Sequence, residues 1–326
     1  MHAVLHVAID ICVKALCKRI VVNCTTRSRT ILSKIYILVL NYNNSSDTIV
    51  CLDSIYAKCE EKNLTILLID NASSDDSVCI LEKYIKDRPH LRFFALSENL
   101  GYAGGNNVGL RYALEQPDME YCWILNNDTV VEKNALKSLY EFMQKHPDVG
   151  ICGSKMIYEW DRSKLQGYGG FYNRFLSISR PCLDLRQIDK IDYVIGASVF
   201  VRRKFLEDIG LMCEDYFLYC EEIDWAERAK GKYKIACEPK SIVYHKEGAT
   251  TGGTSTAKTN CSVLSDYYQI RSRILFAKKY YKQYLPIVYL SMLMVIFNRI
   301  KRGQFARIPM IIRLVLGLSD NRFKQK

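Results

Sequence analysis

Trp123-Ile124-Leu125-Asn126-Asn127-Asp128-Thr129 is a short apolar run that ends in two amides and a carboxylate. It reads as a buried strand emerging at a surface able to hold a metal. Asp128 together with diphosphate oxygens makes a Mg²⁺ or Mn²⁺ site, because hard cations need few protein ligands when phosphate supplies the others. His245 closes the apolar stretch Val243-Tyr244-His245, where a neutral imidazole could complete the metal shell. Glu221, Glu222 and Asp224 place three acids within four residues, where the aromatic segment Phe217-Leu218-Tyr219-Cys220 meets a helix. Glu221 and Asp224, three apart, share a helical face and Glu222 points elsewhere, so the three can divide their labour, one of them acting as a base. Each group also has a plain structural use: an Asn-Asn-Asp turn, acids complementing a helix dipole, a satisfied histidine at a strand end. Their joint presence argues for chemistry.

Two further stretches suit a ligand. Asp70 follows a buried strand and precedes Asn71-Ala72-Ser73-Ser74-Asp75, so its carboxylate can accept from a nucleotide base or ribose hydroxyl, or cap the turn. Glu98-Asn99-Leu100-Gly101-Tyr102-Ala103-Gly104-Gly105-Asn106-Asn107 offers three glycines before a helix, which predicts close backbone approach to a ligand and exposed N–H groups near an anion. Neither the GxGxxG spacing nor the P-loop pattern is present, which removes support for NAD and ATP sites.

The elements that must position these residues follow from periodicity. Ile35–Leu40 and Leu64–Ile69 are continuous apolar runs, as expected of strands buried on both faces. Helical spacing covers Ser46–Lys58 and Ser77–Ile85. Leu91–Leu96 and Tyr121–Leu125 are further strands, with a helix over Asn107–Leu114 between them. An amphipathic helix over Asn134–His146 and an edge-like segment Val149–Met156 come next. Residues 158–191 lack steady periodicity and read as hairpins and loops over a site. Val194–Val201 is a strand, Lys204–Ile209 a short helix, and Glu222–Ala229 another helix. Alternating strands and helices predict an α/β fold with a mostly parallel central sheet and helices on both faces, its ligands held at strand ends.

The net charge of +11 is unevenly placed: residues 267–326 carry 13 Lys or Arg against Asp320 alone, while residues 1–266 sum to −1. A near-neutral body argues against nucleic acid as partner. A basic tail with long apolar runs suits an anionic membrane surface. The uncharged run Leu285–Phe297 falls short of the roughly 20 residues that span a bilayer, so an in-plane or re-entrant helix is expected. Thirteen cysteines without a CxxC pair, and the absence of a clean secretory signal, point to a reducing cytoplasmic compartment. Residues 1–33 form an extension that reads either as a membrane-contacting helix or as a segment outside the fold. The expected organisation is therefore extension 1–33, catalytic domain 34–266 and membrane-associating tail 267–326.

Leu40-Asn41-Tyr42-Asn43, Ile69 to Asp75, Glu98 to Asn106, Leu125 to Thr129, Gly196-Ala197-Ser198 and Tyr219 to Trp225 occur in the order found in family 2 glycosyltransferases of the GT-A fold. The resemblance runs from about Lys34 to Arg273 and is to the rhamnosyltransferase-like branch that builds surface polysaccharides. It implies a nucleotide-diphosphate sugar donor held by Asn41, Asn43, Asp70, Asn99, Gly104, Asn106 and Asn127, and Mg²⁺ or Mn²⁺ on Asp128 with His245. Asn126 stands where many relatives carry the first Asp of the metal motif, and Glu221-Glu222 where they carry Glu-Asp. The resemblance makes Glu222 the general base, with Asp224 or Glu221 open to recruitment, in an inverting transfer to a glycan or polyprenyl-diphosphate-linked acceptor. It also implies a peripheral position on the cytoplasmic membrane face. The rival readings are a metal-dependent nucleotidyltransferase, which releases diphosphate from a nucleoside triphosphate, and a non-catalytic binding module, which shows no turnover.

Overall fold

The computed structural model describes residues 34–59, 63–88, 90–247, 262–318 and 320–323, so the expected 1–33 extension lies outside the described residues. The first half of the chain runs β1 (Lys34–Asn41), α1 (Ser45–Lys58), β2 (Leu64–Asp70), α2 (Ser77–Ile85), β3 (Leu91–Ala95), α3 (Gly101–Glu115) and β4 (Met119–Asn126). There follow β5 (Thr129–Val131), α4 (Ala135–Lys145), β6 (Val149–Tyr158), β7 (Leu165–Gly167) and a hairpin of β8 (Gly170–Asn173) with β9 (Ile178–Pro181). Then come β10 (Ser198–Arg202), α5 (Arg203–Ile209), α6 (Glu221–Ala229) and β11 (Lys234–His245). Three helices end the described chain: α7 (Val263–Tyr280), α8 (Leu285–Lys301) and α9 (Ile308–Val315).

The main sheet has the order β3-β2-β1-β4-β10-β6-β11-β5, with β7 added to β6. It is mixed, not mostly parallel. β1 runs parallel to β2 and β4, β2 to β3, and β6 to β11, whereas β10 is antiparallel to both β4 and β6 and β5 is antiparallel to β11. Parallel neighbours need a crossover, usually helical, but β6 returns as β10 through the aperiodic loops of residues 159–197, and an antiparallel return needs no such crossover. For the same reason β6 is not the edge its sequence suggests. It lies between β10 and β11, which is why nearly all of its residues are buried.

Alternation along the strands feeds two apolar layers. Ile37, Ile66, Leu68 and Trp123 pack against Leu52 and Ile55 of α1, Leu81 of α2 and Leu139 of α4. Leu38, Leu67, Ile124 and Val199 face Leu110 of α3, Phe205 of α5 and Trp225 of α6. Helices therefore cover both faces of the sheet, and β1, β2 and β4, which lead to Asn41, Asp70 and Asp128, are held from two sides.

The glycine-rich segment is not a turn before a helix but the opening of α3 itself. A Cβ on Gly105 would sit 2.6 Å from Leu40 Cδ1, and one on Gly109 would sit 2.8 Å from Leu38 Cδ2. The glycines let the helix lie directly on β1.

The expected boundary at residue 267 falls inside α7, whose buried Tyr267, Tyr268, Ile274 and Phe276 make it part of the body. α8 and α9 pack on α7 through Val288, Met292, Met310, Ile311 and Leu314. On the other side of α8, Leu290 is 65% exposed, Leu293 60%, Met294 62% and Phe297 53%, an apolar stripe turned away from the protein. The helical stretch is longer than the uncharged run: Lys282–Lys301 has 20 residues and by length and composition is able to cross a membrane, with 11% of its apolar window buried.

Candidate active site

The carboxyl ends of β1, β2 and β4 carry a network of short polar side chains. Asn41, fully buried, donates from Nδ2 to Asp70 Oδ2 at 2.7 Å and accepts from Thr48 Oγ1 at 2.7 Å. Ser73 gives Asp70 two more bonds, N–H to Oδ1 at 2.8 Å and Oγ to Oδ2 at 2.7 Å. Asn43, in the left-handed region, accepts from Ser74 N at 2.7 Å. Asn127 donates to Thr48 Oγ1 at 2.9 Å. The structure thus brings Asn41, Asn43, Asp70 and Asn127 together, and Asp70 is occupied by its own loop.

Asn99, Gly104 and Asn106 differ from expectation. Asn99 Oδ1 accepts from Gly101 N at 2.9 Å, Leu100 N donates to Asn71 Oδ1 at 2.9 Å, and Tyr102 N donates to Phe217 O at 2.7 Å. The leading N–H groups are therefore consumed internally rather than exposed to an anion. Gly101 makes this possible: at φ +72° it has no Cβ, and one would lie 2.3 Å from Phe217 O. Gly104 and Asn106 are buried within α3, where Asn106 Nδ2 donates to Tyr102 O at 2.9 Å and its Oδ1 has no hydrogen-bond partner.

Strand register puts Asp128 beside His245. β5 pairs with β11 so that Thr129 lies opposite His245, and the Lys246 N–H donates to Asp128 O at 3.0 Å. His245 Nε2 consequently stands 3.2 Å from Asp128 Oδ1, both groups being buried. Burial favours the neutral ring, but the facing carboxylate outweighs it and raises the imidazole pKa. Nδ1 lies 3.0 Å from Gln166 Oε1. A ring that donates Nδ1–H to Gln166 turns Nε2 toward Asp128, the orientation a metal-ligating histidine takes. No cluster of three or more His, Cys, Asp or Glu side chains suited to a metal occurs among the described residues. Asp128 and His245 therefore fit a hard cation only where diphosphate oxygens fill its other positions.

The acids of α6 have three different environments. Asp224, fully buried, accepts from Arg228 Nε at 2.7 Å, Lys279 Nζ at 2.7 Å, Tyr280 Oη at 2.8 Å and Tyr216 Oη at 3.0 Å. Burial opposes its ionisation, yet the donors from Lys279, Tyr280 and Arg228 prevail and lower its pKa. Glu221 is 2% exposed and its Oε1 has no hydrogen-bond partner. Burial first, and the charge of Glu222 second, raise its pKa well above the carboxylate range. Glu222 faces the loop before β10, where the Cβ position of Gly196 lies 3.6 Å from its Oε1 and 3.8 Å from Tyr102 Oη. Burial pushes the Glu222 carboxyl up to about 7.

Tyr102 joins these groups. Its hydroxyl donates to Gly196 O at 2.6 Å, and its pKa is raised well above the usual value by burial and then by the charges of Glu222, Glu221 and Asp128. Glu222 and the Tyr102 hydroxyl therefore meet at Gly196, with α3 as the wall. Tyr102 lies within a motif the sequence displays, although no role was legible for it. Gln166 sits in the aperiodic segment and gives no signal.

The model of the family described as glycosyl transferase family 2 matches residues 36–210. The chain belongs to that family. Among curated members, this family 2 glycosyltransferase is similar to the low-salt glycan biosynthesis hexosyltransferase Agl10 of Haloferax volcanii, 24% identical over 62% of this chain and 63% of that one. It is similar also to poly-beta-1,6-N-acetyl-D-glucosamine synthase of Staphylococcus aureus, 25% identical over 68% of this chain and 52% of that one. The chain thus matches between half and two thirds of the length of these relatives. A mannosyltransferase of Pyrobaculum calidifontis, solved with GDP-Man and Mn²⁺, superposes with a TM-score of 0.54 at 14% identity, covering 88% of this chain and 75% of that one. Staphylococcus aureus TarS 1-349 gives 0.52 at 18% identity, over 86% and 81%. These two likenesses establish a GT-A-like fold. None of the matches narrows this family 2 glycosyltransferase to the rhamnosyltransferase-like branch.

Proposed function

We propose that the chain moves a hexosyl unit, with inversion, from a nucleoside diphosphate sugar to a hydroxyl of a glycan or polyprenyl-diphosphate-linked acceptor in polysaccharide synthesis. The observation that carries this reading is Glu222 and the Tyr102 hydroxyl meeting at Gly196. Glu222 takes the acceptor proton, the acceptor oxygen bonds to the anomeric carbon, and the bond from that carbon to the diphosphate oxygen breaks with its electron pair leaving on the diphosphate. A single displacement of this kind inverts the centre. When bound by Asp128 and His245, Mg²⁺ or Mn²⁺ supplies charge stabilisation to the departing diphosphate. A base raised to about 7 is matched to its task near neutral pH. The Asn41–Asp70–Ser73 network shapes the donor pocket, and Asp70, holding three donors on about four acceptor positions, keeps one on Oδ1 for the nucleotide.

The outward stripe of α8, with Lys282, Arg299, Lys301 and Arg302 at its ends, suits a helix lying on an anionic membrane at the cytoplasmic face. Full-length protein is expected to float with anionic liposomes, and Leu290→Asp with Leu293→Asp to remain in the soluble fraction. Indifference of the unaltered protein to such liposomes removes the membrane part of the reading.

The activity is tested by scanning UDP-, GDP- and dTDP-linked sugars, rhamnose among them, for release of nucleoside diphosphate with Mn²⁺ or Mg²⁺. Metal-dependent release from one donor, abolished in Asp128→Ala, is the expected result. Diphosphate released from nucleoside triphosphates instead means a nucleotidyltransferase, and donor binding without turnover, acceptor lipid included, means a binding module.

A further inference from the structure

Glu222 and Asp224 ride one helix of nine residues, two positions apart and so on nearly opposite faces. The strap that feeds the helix is strained: Phe217, Tyr219 and Cys220 all have positive φ, at 64°, 69° and 74°. Non-glycine residues keep such conformations only where their surroundings dictate them. Here most of the fixing bonds come from α7. Ser272 Oγ donates to Leu218 O at 2.8 Å, Arg271 Nη1 to Asp215 O at 2.8 Å, and Ser265 Oγ lies 2.5 Å from Tyr219 Oη. Lys279 and Tyr280, at the end of α7, hold Asp224 itself.

We infer that Asp224, clamped by Lys279 and Tyr280, is a positioning residue that sets the place of the Glu222 carboxylate beside Gly196 and Tyr102. This rests on the proposed role of Glu222 as base. Clamping one face of a short rigid helix fixes the other. A carboxylate carrying four hydrogen bonds is a poor proton acceptor, so Asp224 does not take the base's part. The groups facing it are Arg228 and Tyr216 from its own side and Lys279 and Tyr280 from α7, with Cys213 Sγ 3.4 Å from the Lys279 ammonium. A buried ionic cluster is weak evidence for added stability, which leaves positioning as the role to test.

The test compares Lys279→Met, Lys279→Arg, Asp224→Asn and Glu222→Gln on whichever donor the panel selects, reading nucleoside diphosphate release across pH together with melting temperature. Since a displacement of about 1 Å costs up to ~10²-fold, Lys279→Met should lower kcat by roughly 10- to 100-fold. Its donor KM should stay within about threefold of normal, as for a group acting on the transition state alone. The acid limb of its pH profile should shift, because burial sets the Glu222 pKa and a displaced carboxyl is buried differently, and Lys279→Arg should recover most of the rate. If Lys279→Met does not fold, Tyr280→Phe removes one bond of the clamp and should show the same signature more weakly. An unchanged kcat and acid limb with a lowered melting temperature overturns the inference, leaving the clamp a fold-holding device. Activity in Glu222→Gln that keeps the acid limb, with an inactive Asp224→Asn, overturns the base assignment itself.

Discussion

Two buried carboxylate regions lie at the carboxyl end of the same sheet, and their partners make them opposites. Asp70 is enclosed by Asn41, Ser73 N–H and Ser73 Oγ, each within 2.8 Å. Glu221 is equally buried and leaves an oxygen without a hydrogen-bond partner, next to a second carboxyl already shifted to about 7. A carboxylate held by three donors locks backbone, whereas a buried one with an unpartnered oxygen beside a second carboxyl exchanges protons or awaits a ligand. The difference separates the part of the site that holds shape from the part proposed to perform chemistry, and Asp224 shows that both kinds fit on one helix.

The sharpest way to break this contrast is Glu222→Gln. Loss of a positioned base should cost roughly 10²- to 10⁴-fold in turnover. In the unaltered enzyme, activity should rise with pH through about 7, because the base works ionised and burial has raised its pKa. That acid limb should be absent from the residual activity of the variant. Near-normal transfer by Glu222→Gln would sink the assignment.

A smaller effect distinguishes the two kinds of carboxylate by stability. Asp70→Ala strands the buried Asn41 amide and the Ser73 donors, and should lose about 1–3 kcal/mol in urea titration. Glu221→Gln should do the reverse at alkaline pH. The folded state holds a proton on Glu221 that the unfolded chain releases above the ordinary carboxylate range, so stability is full below that range and declines as pH rises toward the raised folded value. The glutamine variant should therefore melt higher than the parent at pH 8, with the gap closing toward pH 4. Parallel stability curves for parent and variant across that interval would deny that Glu221 is carried protonated.

Much of the scaffold was legible because local pattern and tertiary context agree. The apolar runs Ile35–Leu40 and Leu64–Ile69 became β1 and β2, and the spacing of Val78, Leu81 and Ile85 marks α2, which spans Ser77–Ile85. Direction was not legible. β10 carries the same apolar signature as a parallel strand but enters through loops, and its neighbours alone reveal that it runs backward. The three glycines misled for a related reason, since a flexible residue reads as a turn unless the sheet it must approach is known. Within the site, the candidate acids and His245 stood out by type and position. Asp224 did not disclose its use, because Lys279 and Tyr280 lie 55 and 56 residues downstream in a helix that composition assigns to a membrane tail. Long-range pairing leaves no trace in spacing.

The bond from Tyr102 N–H to Phe217 O has a consequence for synthesis. Strands β3, β2, β1 and β4 are contiguous in the sheet and are complete once residue 126 has been made, well before His245 exists to face Asp128. The amino end of α3 must wait for Phe217, and the helix bearing Glu222 must wait for Lys279 and Tyr280 to emerge. A nascent chain therefore has the strands bearing Asn41 and Asp70 long before it has the clamp proposed to position Glu222.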